Sequence, residues 1–103
     1  MEIIFFNNRS RKFFESLDAP IRPRAARTFE LLGRYGNNLG MPHSKSMGSG
    51  LFELRIVGAV HLRFIYAFSD GKAWILHGFS KKTNRIPQRD MEYTKSQLKR
   101  LLQ

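Results

Sequence analysis

The chain has 103 residues, 18 Lys and Arg against eight Asp and Glu for a net charge of +10, and no Cys. That length is expected to form one domain over residues 1–103, and the absence of Cys excludes a disulfide framework and Cys-ligated zinc. The charge points to a polyanion or an acidic protein as partner, while the lack of a long apolar run or a signal-peptide pattern predicts a cytoplasmic protein with no membrane partner.

In chain order, Ile3-Ile4-Phe5-Phe6 is a β-branched and aromatic run that stops at Asn7-Asn8 and predicts a strand. From Ser10 the period becomes helical, with Phe13, Phe14 and Leu17 on one side and Arg11, Lys12 and Glu15 on the other. Asp18-Ala19-Pro20 ends that helix and, with Asp18 as N-cap, opens a second one carrying Ile21, Ala25, Thr28, Phe29 and Leu32 on one stripe. Pro23 is tolerated because it falls in the first turn, where no intrahelical amide bond is lost. Gly33 and Gly36 are expected to close the helix. Residues 37–50 are rich in Gly, Asn and Ser and predict a mobile loop holding His43 and Lys45. Three strand-like runs follow, Leu51 to Val57, His61 to Phe68 and Lys72 to Phe79. The basic loop 81–85 leads to Pro87, which opens a last helix with Met91, Thr94, Leu98 and Leu101 on one stripe. The order predicts an α+β domain: a small, mostly antiparallel β-sheet with two N-terminal helices and one C-terminal helix.

Strand parity then predicts which side chains share a face. Phe52, Leu54 and Ile56 oppose Glu53 and Arg55, and Leu62, Phe64, Tyr66 and Phe68 oppose His61, Arg63 and Ile65. Placing Trp74 and Leu76 in the same core as Phe64 and Tyr66 requires the three-residue loop Ser69-Asp70-Gly71, and puts Arg63 opposite His77. A loop at Gly58-Ala59-Val60 puts Arg55 opposite Arg63. Arg55, Arg63 and His77 thus form a row away from the aromatic core, with Lys81 one step beyond.

Like charges placed directly opposite each other destabilise a sheet. Two such Arg residues therefore point to an anion that visits this face, although Glu53 could neutralise one of them. Arg55 and Arg63 suit stabilisation of phosphorane charge. His77 or Lys81, in a positive cluster that disfavours their charged forms, suits proton transfer. Lys45, Lys82 and Arg85 lie in loops and suit contacts to a phosphate backbone. There is no Gly-rich phosphate loop and no carboxylate cluster or His-Glu-x-x-His for a metal, so no cofactor is expected. Asp70 and Asp90 are expected to serve turns and caps, and His43 to be a neutral loop residue.

These residues resemble a known family. Met41-Pro42-His43-Ser44-Lys45-Ser46, followed by Gly50-Leu51-Phe52-Glu53-Leu54-Arg55, is similar to the loop and strand of the phage-derived, HigB-like branch of the RelE/ParE toxin superfamily. Arg63-Phe64-Ile65-Tyr66 resembles its second meander strand. His77-Gly78-Phe79-Ser80-Lys81-Lys82, then Pro87 and an amphipathic helix, carries its most distinctive pattern. Thr94 departs from it where Ala is expected, a position that concerns helix packing. The resemblance implies the toxin of a type II toxin–antitoxin system, an endoribonuclease that cleaves mRNA on the ribosome by attack of the 2′-hydroxyl. It also implies a cognate antitoxin with a helix-turn-helix domain, joined to the toxin in a hetero-oligomer. Arg55, Arg63 and Lys81 match the family's concave basic face, with His77 and Lys82 beside them. The alternatives from the same fold are a gyrase inhibitor, a nucleic-acid-binding module, and a silent toxin that binds only its antitoxin.

Overall fold

β-Branched and aromatic runs separated by left-handed turns build a five-stranded sheet, and a computed structural model describes residues 1–59, 61–82 and 85–103 of it. The strands are β1 (Ile3–Phe5), β2 (Ser44–Gly48), β3 (Leu51–Arg55), β4 (Leu62–Ser69) and β5 (Lys72–Ser80). Their order across the sheet is β1-β5-β4-β3-β2, with every pair antiparallel except β1 against β5. The helices are α1 (Asn8–Glu15), α2 (Arg22–Tyr35) and α3 (Gln88–Leu101). The α+β class expected from the sequence is the one observed.

The sheet buries both faces. Against one lie Phe13 and Phe14 of α1, Leu17 just beyond it, and Ala25, Phe29 and Leu32 of α2, which meet Leu54, Leu62, Phe64, Tyr66 and Ile75. Leu98 and Leu101 of α3 cover part of the other, over Leu51, Ile65, Ala67, Leu76 and Phe79. Alternation along β3 and β4 therefore separates two apolar layers instead of one layer and solvent. Gly78 is required where α1 crosses β5, because a Cβ there would lie 2.5 Å from a ring carbon of Phe13 and 2.7 Å from one of Phe64.

Several local expectations are corrected. The segment 37–50 is not one loop: its second half is β2, an edge strand paired with β3 through a turn at Ser49-Gly50, both at positive φ. Short polar residues hid it, because an edge strand has little apolar area to advertise. Helix α1 begins two residues earlier than its apolar period, since the Asn7 side chain accepts from the Ser10 amide and caps it. Asp18 supports the start of α2 through its backbone carbonyl, which accepts from Ile21 and Arg22, and not through a side-chain cap. Gly36, not Gly33, ends that helix.

The β4–β5 hairpin changes the phasing most. Ser69 pairs with Lys72, so the turn is the two-residue Asp70-Gly71, with φ of 55° and 71°. A bulge then shifts the register between Ile65 and Tyr66: Tyr66 faces Ile75, whereas Ile65 faces His77. The shorter turn puts Trp74 and Leu76 in the α3 layer and Ile75 beside Tyr66, and Leu76 is the extra residue of the bulge. Arg63 consequently pairs with Phe79, not with His77. The Arg55–Arg63 pairing is as expected. Val60, in the expected Gly58-Ala59-Val60 loop, and Thr83 and Asn84, in the basic loop 81–85, lie outside the described residues.

Candidate active site

Beyond the reach of α3, the second face of the sheet is left open as a cleft of about 620 Å³. Its walls are Lys45 and Met47 of β2, Glu53 and Arg55 of β3, Lys81, Arg85 and Ile86 from the segment after β5, and Gln88 and Met91 of α3. Pairing of Lys45 with Glu53 brings a lysine predicted to lie in a loop onto a strand.

Glu53 is the centre of this site. It is only 4% exposed, and its carboxylate lies among three cations. Arg55 Nε donates to Oε1 at 2.9 Å, Arg63 Nε is 3.6 Å from the same oxygen, and Lys81 Nζ is 3.7 Å from Oε2. One carboxylate thereby resolves the clash between directly opposed arginines and draws Lys81 inward across two strands. Three positive charges around one negative leave a local excess of two, before Lys45 and Arg85 are added. A buried carboxylate held in this way keeps the guanidinium groups aimed at one point, where a second, visiting anion meets preset cations.

The structure brings together Arg55, Arg63 and Lys81, with Lys45 and Arg85 at the margin, and leaves His77 and Lys82 elsewhere. His77 is 3% exposed and its Nε2 lies 2.7 Å from Asp90 Oδ1 in the first turn of α3. Its ring stacks on Phe79 at 5.3 Å and tilts against Tyr93 at 4.8 Å. Burial pushes the imidazole below its ordinary pKa, the Asp90 carboxylate opposes that shift, and Arg9 adds to it. This histidine ties α3 to the sheet, and Asp90, expected as a cap, is its partner. Lys82 lines a separate groove with Arg9 and Arg89. His43 contributes its backbone carbonyl, which accepts from the Arg55 amide.

Sequence reasoning gave Glu53 only the part of a neutraliser. The signal for more was present, because parity put it on the same face as Arg55, but its contact with Lys81 depends on how β5 ends. The His77–Asp90 pair has no sequence signal. Among the described residues no group of three or more His, Asp and Glu gathers as a metal ion would require, and no helix is long and apolar enough to cross a membrane.

The fold and the cation-lined cleft together define a RelE-like α+β protein. The isolated E. coli RelE toxin, a solved structure, superposes with a TM-score of 0.65 over 98% of this chain and 99% of that one, at 12% sequence identity. A family model described as "Phage derived protein Gp49-like (DUF891)" matches residues 12–99. The chain belongs to that phage-derived, Gp49-like family, a RelE-like toxin family. A search of curated proteins returns no match.

Proposed function

We propose that the protein is the toxin of a type II toxin–antitoxin system, and that the Glu53 cleft cleaves mRNA on the ribosome. The observation that carries this reading is the carboxylate of Glu53 held among Arg55, Arg63 and Lys81 at the floor of an open cleft. In the step proposed, the 2′-oxygen of a nucleotide attacks the adjacent phosphorus and its proton passes to the Glu53 carboxylate. The P–O5′ bond breaks, and the Lys81 ammonium protonates the departing 5′-oxygen. The products are a 2′,3′-cyclic phosphate and a 5′-hydroxyl. Arg55 and Arg63 stabilise the pentacoordinate phosphorane, and Lys45 and Arg85 hold flanking phosphates.

None of the described residues lining the cleft is aromatic, so they offer no platform on which to stack a base. Such a cleft grips the RNA backbone and takes its substrate positioning from elsewhere, which is the reason for proposing the ribosome as the place of action. A cognate antitoxin with a helix-turn-helix domain, forming a hetero-oligomer with the toxin in the cytoplasm, completes the proposal. Expression of Arg63→Ala or Lys81→Ala should no longer arrest growth, while each variant stays folded and bound to its antitoxin. Full toxicity of both variants would remove the nuclease reading.

A further inference from the structure

A second groove, of about 410 Å³, is lined in part by the chain neighbours of residues that line the first. Lys81 faces the main cleft while Lys82 lines the groove, and in α3 Gln88 faces the cleft while Arg89 and Asp90 line the groove. Arg9 and Phe13 of α1 form the far wall. Three cations, Arg9, Lys82 and Arg89, therefore line this groove with one carboxylate, and that carboxylate is already committed to His77. The Arg9 guanidinium is braced 4.3 Å above the Tyr93 ring.

His77, which lines the same groove, supplies the second observation. Its Nε2 faces a carboxylate oxygen at 2.7 Å and so carries the hydrogen of that bond. In the neutral ring Nδ1 is then a bare lone-pair acceptor, and it is buried with no hydrogen-bond partner among the described residues. A buried acceptor without a donor is destabilising, so the site is completed by a ligand that brings an O–H or N–H. The same groove is lined by three cations that suit phosphate. One molecule carrying both features is a nucleotide.

We infer that this groove is a subsite for a nucleotide flanking the cleaved bond, with its phosphate on Arg9, Lys82 and Arg89 and a ribose or base donor on His77 Nδ1. The inference rests on reading the main cleft as an RNA site, because adjacency through Lys81-Lys82 is what lets one strand occupy both. An acidic peptide also meets the cations, but it explains less well why the two clefts share a wall.

The test uses the wild-type chain and nucleoside 3′,5′-bisphosphates, which keep the 2′-hydroxyl, the base and two phosphates but have no diester to cleave. In a nitrogen-15 titration, the Nδ1 resonance of His77 should move saturably from its bare-acceptor position towards that of a hydrogen-bonded nitrogen. The double variant Lys82→Gln/Arg89→Gln, altered at two groove-lining side chains away from the core, should bind the bisphosphate about tenfold more weakly. A bisphosphate that perturbs Arg55 and Lys81 but leaves Nδ1 unmoved overturns the subsite and leaves the nuclease reading intact. So does a groove that binds an acidic peptide and no nucleotide. Movement of Nδ1 in a protein whose Lys81→Ala variant is still fully toxic would do the reverse, since the titration does not depend on cleavage.

Discussion

Two acid–base contacts on one side of the same sheet serve opposite ends. Around Glu53, three cations crowd one carboxylate at the floor of a cleft, and the excess charge is left open to solvent. At His77, one imidazole meets one carboxylate and packs against the rings of Phe79 and Tyr93. The difference, on the function proposed, separates a site for chemistry from a contact that also holds the fold. A matched pair ties α3 to the sheet, whereas mismatched charge at the base of an opening suits an anion that arrives later.

That contrast can be broken by mutation, and the largest effect is expected at the open site. Lys81→Ala should lower RNA cleavage by at least about 100-fold, the scale of a lost acid–base group, with the melting temperature nearly unchanged. Measuring both on one preparation separates chemistry from folding, and an equal loss in the two would make Lys81 a structural residue. The matched pair should respond in the other direction. Asp90→Ala leaves a buried imidazole without its partner and should cost about 2–3 kcal/mol of stability, which lowers the melting temperature of a chain this size by about 10–20 °C. A shift below about 3 °C would mean that α3 is held without help from the His77–Asp90 pair.

A smaller effect is expected from pH. His77 has its folded pKa depressed by burial, so the neutral ring is the form that the fold favours. Asp90 on α3 opposes the depression, while Arg9 on α1 reinforces it and Lys82 and Arg89 line the groove nearby. The unfolded chain therefore takes up the proton first as the solution is acidified. Stability should be complete above about pH 6.5 and fall as pH drops from there through the folded pKa. Denaturant titrations between pH 7.5 and 5 should show this loss in the wild type and a flatter profile in His77→Gln; parallel profiles would detach the effect from His77. Smallest of all, Lys45→Gln should weaken RNA binding modestly and reduce the salt slope by about 0.7, the share of one single-strand phosphate. An unchanged slope would place Lys45 outside the RNA path.

The elements were largely legible in the residues because each rests on a local rule: helical spacing of Phe13, Phe14 and Leu17, alternation in Phe52 to Ile56, Pro87 before an amphipathic run. The shared face of Arg55 and Arg63 was legible for the same reason, since parity within a hairpin depends on few residues. What escaped were features that arise between distant segments. The polar edge strand β2 gains its identity only from β3. The bulge at Leu76 also escaped, because only the pairing with β4 shows that the two-residue turn at Asp70-Gly71 sends Trp74 and Leu76 to the α3 side and that the bulge then keeps His77 on that side.

By itself, then, the sequence determined the α+β class, the two helical layers' apolar stripes and a pair of arginines opposed on one face, all consequences of spacing along the chain. Only the tertiary structure decided that Glu53 would gather Arg55, Arg63 and Lys81, and that His77 would leave the arginine row to meet Asp90. The physical reason is that the two-residue turn and the one-residue bulge together slide β5 by two positions along β4, so His77 keeps the arginine face but sits beside Ile65, within reach of Asp90 on α3. No periodicity upstream of the bulge carries information about which partner will be waiting there.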